Sequence, residues 1–158
     1  DDIIQIEDQE LIVNFLDIME NHKMLVENSG LLTVAALKHL DCKNKKVVSI
    51  LSGGNMDIIT LSSVVQHGLI QRGRVFTVSV QLPDRPGELG KVANVIAEMK
   101  GNVIRLEHNQ FVSINRNAAV ELRITMEAFG QEHKKEIIDR LKKEGYTPKE
   151  KSPTGIYE

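Results

Sequence analysis

Apolar positions recur with two different periods along this chain of 158 residues, and the change of period divides it. In the first part the spacing is helical. Leu11, Ile12, Phe15, Leu16 and Met19 form one stripe of a helix, with Asp8 as the expected N-cap and an end near residues 21–22. Leu31, Val34, Ala35, Leu37 and Leu40 predict a second helix, capped by Ser29. Ile58, Leu61, Val64, Val65 and Leu69 predict a third over residues 57–71. Short apolar runs predict strands at residues 3–6 and 46–51, with an extended stretch at 24–26. The run at 46–51 is almost continuously apolar, the pattern of a strand covered on both faces. Such a strand needs neighbours on both edges, and residues 1–72 offer only two other short candidates. This first part is therefore expected to be the end of a larger α/β domain.

Beyond Gly73 the period becomes two. Phe76, Val78, Val80 and Leu82 point one way and Thr77, Ser79 and Gln81 the other, as in a half-buried strand. Residues 83–87 break it. Leu89, Val92, Ala93 and Ile96 then predict a helix, stopped at Gly101. A strand is expected at 103–109, a turn at 115–117 and a strand carrying Val120, Leu122, Ile124 and Met126. A helix over 131–144 packs Ile137, Ile138 and Leu141, and Gly145 ends it. A short strand at 146–150 closes the set. The order β-α-β-β-α-β is the α+β, ferredoxin-like arrangement. Both helices should cover one face of a four-stranded antiparallel sheet. Thr77, Ser79, Gln81, Arg105, Glu107, Glu121, Arg123 and Thr125 should line the other. The expected division is residues 1–72, residues 73–151 and a loose tail, 152–158, with Gly68 and Gly73 marking the boundary.

Charge and composition remove several function classes. With 20 basic and 22 acidic residues the net charge is −2, so the basic excess of a general nucleic-acid or anionic-membrane binder is missing. No apolar run approaches the roughly 20 residues that span a bilayer. The opening residues lack the basic and apolar regions of a secretory leader. The single cysteine, Cys42, excludes an intramolecular disulfide. A cytoplasmic protein is the expectation. Four Phe, two Tyr and no Trp are too few for a base-stacking platform. The five histidines include no pair at helical ligand spacing, so no metal site is expected. Arg140 and the lysines around it are interleaved with acidic residues, as on a solvated helix face.

Two loops have the composition of ligand sites. Ser52, Gly53, Gly54 and Asn55 follow the buried strand, and α/β sheets bind ligands at the carboxyl ends of their strands. The same residues also suit a tight strand-to-helix turn with Asn55 as the cap. Pro83, Asp84, Arg85, Pro86, Gly87, Glu88 and Leu89 run from a strand into a helix N-terminus, where open N–H groups can hold a carboxylate. A rigid connector fits that loop equally well. Asp84 and Glu88 are explained by capping and the helix dipole better than as an acid–base pair.

Residues 46–57, with 22–30 upstream, resemble the C-terminal end of the catalytic domain of threonine dehydratases (threonine ammonia-lyases), pyridoxal-phosphate enzymes of the tryptophan-synthase-β-like fold. Residues 82–89 resemble the opening of an ACT domain, a small-molecule sensor with the element order deduced above. The two signatures occur in the expected order and together cover residues 1 to about 150. The resemblance implies that Ser52 hydrogen-bonds the pyridine nitrogen of the cofactor, that Gly53, Gly54 and Asn55 shape the turn presenting it, and that Glu27 lies near the cofactor. Asn28 and Leu31 depart from the family's usual glycine and alanine. Asn102 stands one position before the usual sensor asparagine, which turns it to the other face of its strand. The family's Schiff-base lysine motif and glycine-rich phosphate loop do not occur in this sequence, so the chain alone is expected to be inactive. The implied whole protein converts L-threonine to 2-oxobutanoate and ammonia in isoleucine biosynthesis. The implied effector is isoleucine or valine, held by Asp84, Arg85, Gly87, Glu88, Leu89 and Val103, and the implied assembly is a homo-oligomer through ACT domains. The alternatives are a stand-alone amino-acid sensor and a related serine dehydratase or racemase.

Overall fold

The structure, a computed structural model, describes residues 3–109 and 120–152. The expected turn at 115–117 and most of the expected tail lie outside them. The chain forms two compact units, Asp1–Gln71 and Arg72–Glu158.

The first unit contains α1 (Asp8–His22), α2 (Asn28–Ala35), a 3-10 turn at Ala36–His39, and α3 (Ile58–Gln71). Asp8 is the first helical residue of α1, not its cap. Glu7 caps, because a capping box joins it to Glu10, whose carboxylate accepts the Glu7 N–H at 3.3 Å. That bond, with His39 Nε2 at 3.0 Å, holds the Glu10 carboxyl below its ordinary range. The cap of α2 is likewise Glu27 rather than Ser29. Asp57, not Asn55, caps α3: it accepts the N–H groups of Ile59 and Thr60 at 3.0 and 2.9 Å. The Thr60 hydroxyl, first among its partners, lowers the Asp57 carboxyl. Leu11, Phe15, Leu16, Val26, Leu31 and Ala35 form the buried core, flanked by Leu61, Val64 and Val65 of α3. Gly68 belongs inside α3 and not at a boundary. A β-carbon there would lie 2.3 Å from Leu16 Cδ1, so it marks the close approach of α3 to α1.

The expected strands of this unit do not form. Residues 3–6, 24–26 and 46–51 have no ladder among the described residues, which corrects the α/β expectation for residues 1–72. The reason is that a strand exists only against a partner, and none of the three runs pairs with another. Within the last run Val48 is 88% and Ile50 75% exposed.

The second unit follows the predicted order: β1 (Val75–Leu82), α4 (Glu88–Glu98), β2 (Asn102–Asn109), β3 (Val120–Glu127), α5 (Gln131–Lys143) and β4 (Lys149–Lys151). The sheet runs β2-β3-β1-β4, and every neighbouring pair is antiparallel. Phe76, Val78, Val80 and Leu82 of β1, Val92, Val95 and Ile96 of α4, Leu122, Ile124 and Met126 of β3, and Ile137, Ile138 and Leu141 of α5 form one buried core. Burying each such side chain stabilises by roughly 1.5–3 kcal/mol. The other side of β1 is not half-exposed as its alternation suggested: Thr77 and Ser79 are buried. Thr77 Oγ1 lies 2.8 Å from Thr125 Oγ1 on the facing strand, and Ser79 donates to the Glu121 carboxylate, so short hydroxyl side chains are satisfied across the sheet. Glu107 bridges Arg105 and Arg123 at 3.0 and 3.7 Å. The last strand starts at Lys149 rather than Tyr146. Helix α5 closes through Gly145 (φ 89°) and the Tyr146 N–H bond to Leu141 O at 3.1 Å, which holds residue 146 at the helix end.

Candidate functional site

In the first unit the two segments singled out from sequence come together. The Glu27 N–H donates to Gly53 O at 3.2 Å, and the Glu27 carboxylate accepts the Ser29 hydroxyl at 2.6 Å. Gly53 has φ +78°, in the left-handed region, and a β-carbon on it would meet the Glu27 carboxyl at 2.5 Å. A β-carbon on Gly30 would lie 1.9 Å from Ser52 O. The glycines therefore let residues 52–54 lie directly on the N-terminus of α2. Ser52 and Asn55 are exposed at the outer side of this turn.

In the second unit Asp84, Arg85 and Gly87 are exposed in the β1–α4 connection. Gly87 caps α4 with φ +91°, and no atom stands within 4 Å of where its β-carbon would be. Of the N–H groups that open α4, that of Glu88 is taken by Arg85 O at 3.3 Å, while those of Gly87 and Leu89 are not bonded to backbone within the described residues. Leu89 is 37% exposed. Val103 sits on a different element, edge strand β2, opposite Met126, and is 38% exposed. Asn102, displaced by one position, donates its side-chain amide to Glu127 at 2.8 Å.

Sequence reasoning missed a groove of about 570 Å³ in this unit. The end of β1 contributes Gln81 and Pro83. One flank of α4 contributes Glu88, Lys91, Val95 and Glu98. Arg140 of α5, with Glu144 and Tyr146 just beyond it, completes the lining. Lys91 Nζ lies 2.7 Å from Glu88, and that hydrogen bond raises the lysine above its ordinary range. Arg140 Nη2 reaches Glu98 at 3.2 Å and Glu144 at 3.0 Å. So Arg140, expected on a solvated face, also lines a concave one. The pairs 88/91 and 140/144 were visible as helical spacings. The bond from α5 to Glu98 on α4 was not, because it joins residues 42 positions apart.

Comparison with known proteins places this geometry. The ferredoxin-like unit belongs to the ACT domains: residues 76–145 match the family profile of that description. Beyond that region the chain is similar to threonine-deaminating lyases. It is 35% identical over 148 residues to the L-threonine ammonia-lyase of Geobacter sulfurreducens, and 30% identical over 147 residues to that of Thermotoga maritima. Each match covers 92% of this chain and 37% of the relative. An L-threonine dehydratase biosynthetic IlvA of Pasteurella multocida is 30% identical over 152 residues, 28% of its length. The chain thus spans between 28% and 37% of the length of these relatives, and the matches include both units. The resemblance to threonine dehydratases carrying an ACT domain holds.

Proposed function

We propose that this chain is the regulatory C-terminal part of a threonine dehydratase whose whole protein converts L-threonine to 2-oxobutanoate and ammonia. The observation that carries the reading is that similarity to threonine ammonia-lyases extends over 92% of the chain. A stand-alone sensor would match in its ACT domain alone. The first unit is then the end of the catalytic domain, and the exposed apolar run at 46–51 takes its strand partners from the rest of that domain. Ser52 would hold the ring nitrogen of pyridoxal phosphate, with Gly53, Gly54 and Asn55 shaping the turn around it. The cofactor, when bound, supplies an electron sink for β-elimination. A neutral hydroxyl at Ser52 leaves the ring a milder sink than an acidic partner would, which suits loss of a hydroxyl group. The chain alone lacks the lysine and phosphate-loop motifs, so it forms no product itself. Adding pyridoxal phosphate and threonine to it should give 2-oxobutanoate at the cofactor-only rate, while the longer protein turns over. Turnover by the 158-residue chain, or none by the longer protein, would refute the reading.

The ACT domain then senses a branched-chain amino acid, isoleucine or valine, at Asp84, Arg85, Gly87, Glu88, Leu89 and Val103. Two N–H groups at the start of α4 and the open space at Gly87 support a carboxylate there. Self-association uses the β2 edge. Strand β1 is interior, paired with β3 and, at Thr77, Val78 and Ser79, with β4. Strand β2 has one partner and carries half-exposed Val103 and Leu106. Such an edge is normally covered, and a C2 pair would cover it. Sedimentation should give a dimer or larger that Leu106→Lys weakens. A native chain that stays monomeric at high micromolar concentration would count against this interface. The reading places the protein in the cytoplasm; among the described residues no helix is long and apolar enough to cross a membrane.

A further inference from the structure

We propose that the groove between α4 and α5 is a second ligand site on the ACT domain, and that it takes a free α-amino acid with a small apolar side chain. Three carboxylates, Glu88, Glu98 and Glu144, face two cations, Lys91 and Arg140, which leaves one carboxylate in excess. An ammonium group meets that excess. The cations still have donors to give. Arg140 reaches both glutamates through Nη2, and its Nε is shielded from water with no acceptor. A guanidinium has five N–H donors arranged to fork onto a carboxylate, so Arg140 can donate from Nη1 to a ligand carboxylate while Nη2 keeps Glu98 and Glu144. A ligand with only one charge would satisfy half of this arrangement.

The apolar part of the groove sets the rest of the ligand. Val95 is 8% exposed and belongs to the core. Tyr146 is partly buried against the same core, close enough to Lys91 to act on its charge. With Pro83 they give an apolar wall suited to a short aliphatic side chain. About 570 Å³ admits one such molecule with its water. No residue of β2 lines the groove, so it differs from the loop-and-edge site proposed above and shares only Glu88 with it. The inference does not depend on the lyase reading. Both helices that form the groove also pack the core, so a ligand bridging Arg140 to the α4 carboxylates would tie α4 to α5.

The test is a titration of the intact 158-residue chain followed by amide NMR shifts, with L-isoleucine and L-valine as probes. N-acetyl-L-isoleucine lacks the ammonium and 2-methylbutylamine lacks the carboxylate. Saturable shifts are expected to centre on Glu98, Gly145 and Tyr146. Each blocked analogue should bind roughly ten- to hundredfold more weakly, the effect of losing one charged hydrogen-bonded contact. Arg140→Gln should weaken isoleucine to a similar degree, Arg140→Lys less, and Asp84→Ala in the loop should leave groove shifts unchanged. Unchanged thermal unfolding would show that Arg140→Gln still folds; Lys91→Met is the second variant if it does not. Shifts confined to Gly87 and Leu89 that ignore Arg140→Gln would overturn the groove site while supporting the loop. No saturable shift with either amino acid would overturn both. Equal binding of the blocked analogues would overturn recognition of the two charges.

Discussion

The two units of this chain have similar apolar content but use it differently. In the ACT domain four strands find partners within the unit, and Val78, Val80, Leu122, Ile124, Ile137 and Leu141 are almost wholly buried. In the first unit three helices bury Phe15, Leu16 and Leu31, yet Ile3, Val48, Ile50, Ile58 and Ile59 are each at least 75% exposed. Local helical hydrogen bonds need no second segment, whereas a strand does. The first unit thus keeps its helices and leaves its strands unpaired. Scattered apolar surface is ordinary; here Val48 and Ile50 expose their side chains within a single short run.

Mutations in the two units should separate them. The largest effect belongs to the ACT core. Ile137→Ala should cost about 2–5 kcal/mol, the range for a buried aliphatic truncated to a cavity, read as a lower urea midpoint for resonances of residues 75–151. The expected loss should leave the first unit's transition in place. Gly30→Ala comes next. Its new methyl would meet Ser52 O and the Val26 side chain, so the turn at 52–54 must move, at a cost of about 1–3 kcal/mol by analogy with overpacked cores. Gly90→Ala has nothing within 4 Å and sits inside α4. It should stabilise the ACT domain by about 0.5–1 kcal/mol through the unfolded chain. Valine at Gly87, by contrast, meets open space but a φ of +91°, so any loss of ligand binding in that variant would be mixed with backbone strain. Val48→Thr with Ile50→Thr should change stability by no more than about 0.5 kcal/mol, because these side chains are already in water. A large loss would mean the run is packed after all.

Acid and base should act on different units. Glu10 and Asp57, both helix-start carboxylates of the first unit, are lowered by their hydrogen bonds. Their stabilisation is present above the unfolded carboxyl values, about 4, and is lost as pH falls through the lower folded ones. Lys91 in the ACT domain is raised by Glu88, so its contribution is present below about 10.4 and is lost as pH rises through the higher folded value. Between pH 5 and 2 the helices α1 and α3 should fray before α4 does. Asp57→Asn, which keeps a capping oxygen without the charge, should flatten the acid response of α3. Residue-resolved NMR against pH checks both.

The periodic elements were legible because each buries one face within its own unit: β1, α4, β3 and α5 fall where their apolar spacing put them. Caps shifted by one or two residues; at α1 the reason is that Glu7 gains a reciprocal bond from Glu10 that Asp8 does not have. Strand β4 was misplaced because Lys149, Glu150 and Lys151 carry no apolar alternation. Its pairing with β1, and the 2.6 Å bridge from Lys134 to Glu150, locate it instead. The turn at 52–54 was legible from its glycines, but its contact with Glu27 was not, because the bond joins residues 27 and 53, far apart in the chain. The groove was not legible, because Arg140 and Glu98 meet only once α4 and α5 lie side by side. The run at 46–51 reads as a covered strand from its composition, yet it forms no ladder among the described residues, because composition does not supply a partner.

Amide hydrogen exchange across the chain tests the contrast between the units most directly. Exchange protection tracks local stability, so the amides of Val78, Val80, Leu122 and Ile124, inside a four-stranded sheet, should be the slowest in the molecule. Those of Val47, Val48 and Ile50 should exchange close to the rate of an unstructured peptide, while α1 and α2 show intermediate protection. Protection at residues 46–51 equal to that of β1 and β3 would mean the run is already paired within this chain, and would contradict the account of an unpartnered strand.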